Sequence, residues 1–166
     1  VLGPSNIDVK HSNISVYKVE SANEMFEIVD GNFKDSDISI FTAAVSDYRP
    51  ISIQKKKIKR LNENLKISLV RTIDILSKMS LKKTEKQFVV GFALETENAL
   101  ENATEKLKNK NLDMIVLNSL KNKGAGFEHN TNKITIIDKQ NNIVDFELKD
   151  KSEVAKDIIK KIIELI

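Results

Sequence analysis

The sequence predicts an α/β protein: a mainly parallel sheet with helices on both faces and one or two antiparallel hairpins. Three observations carry this reading. The runs Ile38–Val45, Gln87–Ala93 and Asp113–Asn118 are apolar enough for strands covered on both faces. Between them, apolar residues recur at helical intervals. Strands that alternate with helices pair in parallel, because the helix supplies the crossover such neighbours need.

Size and composition set the bounds. At 166 residues the chain is read as one domain, burying roughly two-thirds of its unfolded surface. Its 40% hydrophobic and 31% charged residues are ordinary for a globular protein. It lacks an apolar run of about 18 residues, so no transmembrane helix is expected. The opening Val1-Leu2-Gly3-Pro4 is too short, and has no basic lead, for a signal peptide. The absence of cysteine excludes disulfides, thiolate metal sites and a cysteine nucleophile, and fits a cytoplasmic setting. A pI near 8.9 suggests a nucleic-acid partner, but the net charge is only +3 and aromatics make up 5%. A nucleic-acid binder needs a basic face with interleaved aromatics, so none is expected.

In chain order, Ile14–Val19 is β-branched and aromatic and is expected as a strand. Ser21 stands three residues before Glu24, the capping-box spacing, and Met25, Phe26, Val29 and Phe33 follow at helical intervals. After the strand Ile38–Val45, Lys57–Arg60 and Leu65–Val70 flank the polar turn Asn62-Glu63-Asn64, a projecting hairpin or flap over about 51–70. Thr72 is placed to cap a helix from Ile73 to about Lys82, with Asp74 in its first turn. The strand Gln87–Ala93 precedes a helix over about 97–110 with Leu100, Ala103 and Leu107 inward, and Asp113–Asn118 is the next strand. A second hairpin, about 133–148, turns at Lys139-Gln140-Asn141-Asn142. The last helix, from about Ser152, carries Val154, Ala155, Ile158, Ile159, Ile162 and Ile163 on one wide face. The whole is Rossmann-like.

Ligands of open α/β sheets bind beyond the carboxyl ends of the strands. Phe41–Asp47, Phe92–Thr96 and Asn118 fall there. Each alone reads as a loop residue capping the next helix; three at one edge point to a pocket. Lys55–Arg60 holds five cations in six residues. Such runs are usually solvated, yet their mutual repulsion is relieved by an anion, and a mobile arm can close over a triphosphate. Lys106 and Lys110 share a helix face. His11 and His129 show no metal-ligand spacing, and no metal site is expected from protein ligands. Gly124-Ala125-Gly126 lacks the rest of a phosphate loop.

Taken together and in order, Ala43-Ala44-Val45-Ser46-Asp47-Tyr48-Arg49-Pro50, Lys57-Ile58-Lys59-Arg60, Val90-Gly91-Phe92-Ala93-Leu94-Glu95-Thr96, Lys106…Lys110-Asn111-Leu112-Asp113, Asn118 and Gly126-Phe127 resemble one family. It is the phosphopantothenoylcysteine synthetases (phosphopantothenate–cysteine ligases) of coenzyme A biosynthesis, in many bacteria the C-terminal part of a bifunctional flavoprotein. The resemblance implies CTP, with ATP as the alternative nucleotide, and Mg²⁺. The substrates implied are 4′-phosphopantothenate and cysteine. It also implies a homodimer, and a phosphopantothenoylcysteine decarboxylase domain fused to or associated with the ligase.

Carried over by position, the resemblance assigns Phe41, Thr42, Ala43, Asp47, Lys57, Ile73, Asp74, Ile75, Leu76, Phe92, Lys106, Lys110 and Asn118 to the nucleotide. Ala43, Ala44 and Asp47 line the substrate, and Lys57 is the catalytic flap lysine. The family usually has Asn-Pro-Asp-Ile where this chain has Thr72-Ile73-Asp74-Ile75, so a proline-fixed turn is not expected.

The family's Thr-Ala-Gly-Gly-Thr start and its Asn-x-Ser-Ser-Gly-Lys-Met-Gly segment, with the catalytic asparagine, are not in the sequence. Val1-Leu2-Gly3-Pro4 matches the end of the strand that follows them. The expectation is an N-terminally incomplete ligase domain, inactive alone. The alternative is an inactive nucleotide-binding or dimerisation module of the same fold. A dehydrogenase fragment is disfavoured, since no GxGxxG is present.

Overall fold

The computed structural model describes residues 1–4, 9–52, 56–58, 64–119 and 130–166. Lys55, Lys59 and Arg60 of the basic run, the turn at Asn62-Glu63, Gly124–Phe127 and His129 lie outside the described residues. The described residues form two compact units: Val1–Asn32 with Ala43–Ile75, and Phe33–Thr42 with Leu76–Ile166.

In the first unit, helix α1 spans Ala22–Phe33, its last residue belonging to the second unit. The capping spacing acts as expected at Ser21, whose Oγ accepts from the Glu24 N–H at 3.3 Å. The reciprocal bond falls one residue earlier, with the Glu24 carboxylate accepting from the Glu20 N–H at 2.9 Å. Of the apolar positions expected to be buried, only Phe33 is fully so; Met25, Phe26 and Val29 are half-buried. The strand expected at 14–19 is reduced to a single parallel bridge between Leu2 and Lys18. High β-propensity needs a neighbour to pair with, and Leu2 supplies one rung: its N–H donates to Tyr17 O, and its carbonyl accepts from the Val19 N–H.

The hydrogen bond from Glu20 N–H, followed by that from the Ser21 hydroxyl, holds the Glu24 carboxyl below its ordinary value of 4.5. A depressed acid stabilises the folded state above its unfolded pKa, and that stabilisation is lost as pH falls through the folded value. Glu24→Gln is therefore expected to lower thermal stability slightly at pH 7. The gap to the native protein should close as pH falls below the ordinary carboxylate value and through the lower folded one. Melting curves from pH 7 to 3 check this; a gap that does not change with pH contradicts it.

Strands β2 (Tyr48–Pro50) and β3 (Leu69–Arg71) form an antiparallel ribbon in register Tyr48↔Arg71. This corrects the expected pairing of Lys57–Arg60 with Leu65–Val70 at Leu69 and Val70, which pair with Pro50 and Arg49; Lys59 and Arg60 lie outside the described residues. The segment after Asp47 pairs instead, and its ladder continues through Ile51 N–H to Ser68 O and Thr72 N–H to Asp47 O.

The second unit holds a five-stranded sheet of β1 (Ile38–Phe41), β4 (Phe88–Glu95), β5 (Met114–Ser119), β7 (Ile134–Asp138) and β8 (Ile143–Asp145), in order β1-β4-β5-β7-β8. The first three strands are parallel and the last two antiparallel, giving the expected hairpin. Asp138, 1% exposed, tightens its turn by accepting from Gln140 N–H and from the backbone and side-chain N–H groups of Asn142. β1 stops at Phe41 opposite Gly91 rather than running to Val45. It is an edge strand, and Ile38 and Ile40 remain partly exposed.

Helices cover both faces of this sheet, as expected. Helix α4 (Lys151–Leu165) packs Val154, Ile158 and Ile162 against Val90, Met114, Val116, Ile134 and Ile136. Its expected wide buried face is only half realised, with Ile159 and Ile163 exposed. Side chains alternate along a strand, so Gly91 faces the opposite layer. That layer includes Leu76 of α2 (Ile75–Lys82) and Leu112, which follows α3 (Ala99–Asn109). Ala103 and Leu107 of α3 are buried, whereas Leu100, expected inward, is largely exposed near the helix start. α3 ends in a Schellman turn, with Leu112 N–H on Leu107 O, Asn111 N–H on Lys108 O, and Asn111 at φ 47°. A two-stranded ribbon of β6 (Thr131–Asn132) and β9 (Lys149–Asp150) completes the unit.

A side chain at Gly91 would bring its Cβ to 2.7 Å from Leu112 Cδ1 and 3.0 Å from Leu76 Cδ2. Both leucines are buried, so Gly91→Ala overpacks this layer and is expected to cost about 1–3 kcal/mol. Urea unfolding checks this. An unchanged midpoint would mean that the leucines repack freely.

Candidate functional site

Each unit presents its own set of the candidate residues. In the second unit they gather at the carboxyl end of the parallel strands. Phe41 ends β1, and exposed Thr42 follows it. β4 continues beyond β1, pairing only with β5 from Phe92 to Glu95. The Lys106 ammonium donates to the Phe92 carbonyl at 2.8 Å, fixing a cation from α3 beside this strand end. The Phe92 ring packs toward the α4 side of the core, so the backbone of this residue is what the edge offers. Asn102 ties the following turn, its Nδ2 donating to Glu95 Oε2 at 3.2 Å and Glu97 O at 3.1 Å.

Asn118 lies in β5, opposite Leu94 and Ile134. Its Oδ1 is buried and has no hydrogen-bond partner among the described residues. Such groups are rare and call for an explanation. Lys110 is half-buried as the C-cap of α3, at the turn leading to the start of β5. The structure thus joins Lys106 to Phe92 directly, and places Lys110 one helical turn further on.

In the first unit, Ala43, Ala44 and Asp47 are exposed on the segment entering β2. Lys57 is exposed in the connection between β2 and β3. Thr72 does not cap a helix from Ile73 as expected: α2 begins at Ile75. Its N–H instead closes the β2–β3 ladder on Asp47 O at 2.8 Å, and its Oγ1 is buried without a partner among the described residues. Ile73 is half-buried and Asp74 exposed. Ile75 and Leu76 are 6% and 9% exposed, so their side chains belong to the core and only their backbone suits a ligand.

Sequence reasoning missed the polar cluster at the start of β5. Asp113 accepts from Lys83 Nζ at 2.8 Å and Val89 N–H at 2.8 Å, with Lys139 Nζ at 3.7 Å. The signal was the Lys110–Asp113 stretch, read there only as family pattern. Gln87 was missed too; its Nε2 donates to Phe33 O and Ser36 O, and its Oε1 accepts from the Thr84 N–H. Among the described residues no three acidic or histidine side chains are grouped to hold a metal ion. No described helix is long and apolar enough to cross a membrane.

Comparison with known proteins places the chain. It is 52% identical over 166 residues to a protein named cysteine/cysteine sulfinic acid decarboxylase from an unknown prokaryotic organism, all of the chain and 46% of that protein being covered. It is 38% identical over 165 residues to the coenzyme A biosynthesis bifunctional protein CoaBC of Bacillus subtilis (strain 168), covering 99% of the chain and 40% of that protein. The chain therefore spans less than half the length of these relatives. The crystal structure of the C-terminal domain of a CoaBC protein superposes with a TM-score of 0.77 at 37% identity, covering 98% of this chain and 73% of that one. The model of the DNA/pantothenate metabolism flavoprotein C-terminal domain family matches residues 1–166 from end to end, and the chain belongs to that family.

Proposed function

We propose that the protein acts as a phosphopantothenate–cysteine ligase in coenzyme A biosynthesis, with CTP as the activating nucleotide. The observation that carries this reading is family membership over the whole chain, joined to 38% identity with a bifunctional coenzyme A biosynthesis protein. In the proposed reaction, the carboxylate of 4′-phosphopantothenate attacks the α-phosphorus of CTP. A P–O bond forms to give the acyl-cytidylate, and pyrophosphate leaves. The cysteine amine then attacks the acyl carbon, forming the amide and releasing CMP as the amine gives up a proton.

Chemistry of this kind depends on positioning and charge neutralisation. Lys57 is exposed and suits a triphosphate; Lys106 is held beside the Phe92 backbone. We assign Phe41, Thr42, Phe92, Lys106, Lys110 and Asn118 in the second unit to the nucleotide. Ala43, Asp47, Lys57 and the Ile73–Leu76 backbone do the same in the first unit apart from Leu76, which opens the second. Ala43, Ala44 and Asp47 face the pantothenate moiety. Mg²⁺ would neutralise phosphate charge when bound. A cytoplasmic homodimer, with a decarboxylase domain fused to or associated with it, completes the proposal.

The test is pyrophosphate release by the full gene product from 4′-phosphopantothenate, cysteine, Mg²⁺ and CTP or ATP. Release with CTP is expected; release with ATP alone keeps the ligase and changes the nucleotide. No release with either sinks the reading. A second reading, a non-catalytic nucleotide-binding or dimerisation module, draws on the relative at 52% identity, which is named for decarboxylation rather than ligation. Nucleotide binding without pyrophosphate release would favour it.

A further inference from the structure

We propose that the Thr72 hydroxyl is a ligand contact, donating to a hydroxyl oxygen of the bound ligand whose own proton is accepted by Asp47. The proposal rests on the ligase reading for the identity of the ligand.

The geometry comes from the β2–β3 ribbon. Its register pairs Tyr48 with Arg71, so the next rung sets Asp47 opposite Thr72, and the Thr72 N–H bonds Asp47 O at 2.8 Å. Directly opposed residues of an antiparallel pair project to the same face with neighbouring Cβ atoms. A carboxylate and a hydroxyl are thus held side by side where the ribbon ends.

Yet Thr72 Oγ1 is buried without a hydrogen-bond partner among the described residues. A buried hydroxyl normally finds one, in the protein or in ordered water. The obvious structural role, capping α2, is not filled: the helix starts at Ile75, which makes Asp74 the residue before it. Asp47 is exposed and its carboxylate only accepts, while a hydroxyl both donates and accepts. A donor beside an acceptor matches a ligand hydroxyl. A phosphate would meet the Asp47 charge and is disfavoured. For a ligand to reach it, the buried Thr72 oxygen would turn about the Cα–Cβ bond to another staggered position.

Two substrates of the proposed reaction bear such a hydroxyl: the nucleotide, on its ribose, and 4′-phosphopantothenate. The experiment compares the full gene product with Thr72→Val and Thr72→Ser. It measures kcat and KM for CTP, 2′-deoxy-CTP, 3′-deoxy-CTP and phosphopantothenate, and the melting temperature of each protein. Thr72→Val is expected to raise one KM about three- to tenfold, as for loss of one neutral hydrogen bond, with serine restoring it. The melting temperature should not fall, because valine removes an unsatisfied group. If the ribose is the source, the penalty disappears with the deoxynucleotide lacking that hydroxyl. If phosphopantothenate is the source, the penalty lies in its KM and persists with both deoxynucleotides.

Unchanged KM values for every ligand overturn the proposal, as does a lowered melting temperature with unchanged KM. Should the native protein release no pyrophosphate, the ligase reading fails separately. Calorimetric binding of the same four compounds to the three proteins then decides Thr72: a weakened affinity in the valine protein alone supports it, and equal or absent binding overturns it.

Discussion

Asp113→Ala is expected to destabilise the protein by about 3–5 kcal/mol, as for breaking a buried ion pair. Lys83 and Asp113 side chains are 6% and 13% exposed, and their charged atoms lie 2.8 Å apart. The Lys83 ammonium also donates to Asn111 O at 2.9 Å, while the carboxylate accepts from the Val89 N–H. One ion pair therefore fastens the end of α2, the turn after α3 and the starts of β4 and β5. Removing the acid strands a buried ammonium and a strand-end N–H together, and that desolvation, rather than the lost attraction, sets the cost. Lys139, whose side chain is 60% exposed at 3.7 Å, is too solvated to substitute. Pairing Asp113→Leu with Lys83→Met removes both charges, so the double variant should lose less than the sum of the singles. Urea unfolding of the native protein, Asp113→Ala, the two other single variants and the double variant checks this. A loss below about 1 kcal/mol for Asp113→Ala would show that the lysine reaches water on its own.

How much could be read without the structure followed from how local each feature is. The strands Phe88–Glu95 and Met114–Ser119 stood out because burial on both faces leaves a continuous apolar run. The helices Ala99–Asn109 and Lys151–Leu165 stood out through their period. Ile14–Val19 has the same β-branched character but finds one bridge, because strand formation depends on a partner that composition does not reveal. Leu69 and Val70, expected to pair with Lys57–Arg60, pair instead with Pro50 and Arg49, because an edge ribbon tolerates the proline that ends β2. Helical spacing placed Lys106 and Lys110 on one face and the resemblance assigned them to the nucleotide, whereas the bond from Lys106 to the Phe92 carbonyl needed the packing of α3 beside β4. The Thr72 and Asn118 oxygens, without partners among the described residues, could not be read at all, since an unmet hydrogen bond belongs to three-dimensional packing.

Lys57→Ala is expected to separate activity from stability. The side chain is exposed in the connection between β2 and β3 and has no place in either core, so folding should change by no more than about 0.5 kcal/mol. In the proposed reaction, negative charge shifts onto the departing pyrophosphate as the carboxylate attacks. A cation aimed at that charge contributes more in the transition state than in the bound ground state. Its removal should lower kcat by about 10²–10³, with a smaller effect on the KM for CTP. Lys57→Arg keeps the charge but spreads it over a planar fork, and should recover part of the rate. Pyrophosphate release by the full gene product, measured beside melting curves, distinguishes the outcomes. A normal kcat in the alanine protein removes Lys57 from the chemistry. A lowered melting temperature with normal specific activity assigns it to the fold instead. A raised KM at unchanged kcat would make it a lysine that binds nucleotide without favouring the transition state, because uniform binding leaves the chemical step untouched.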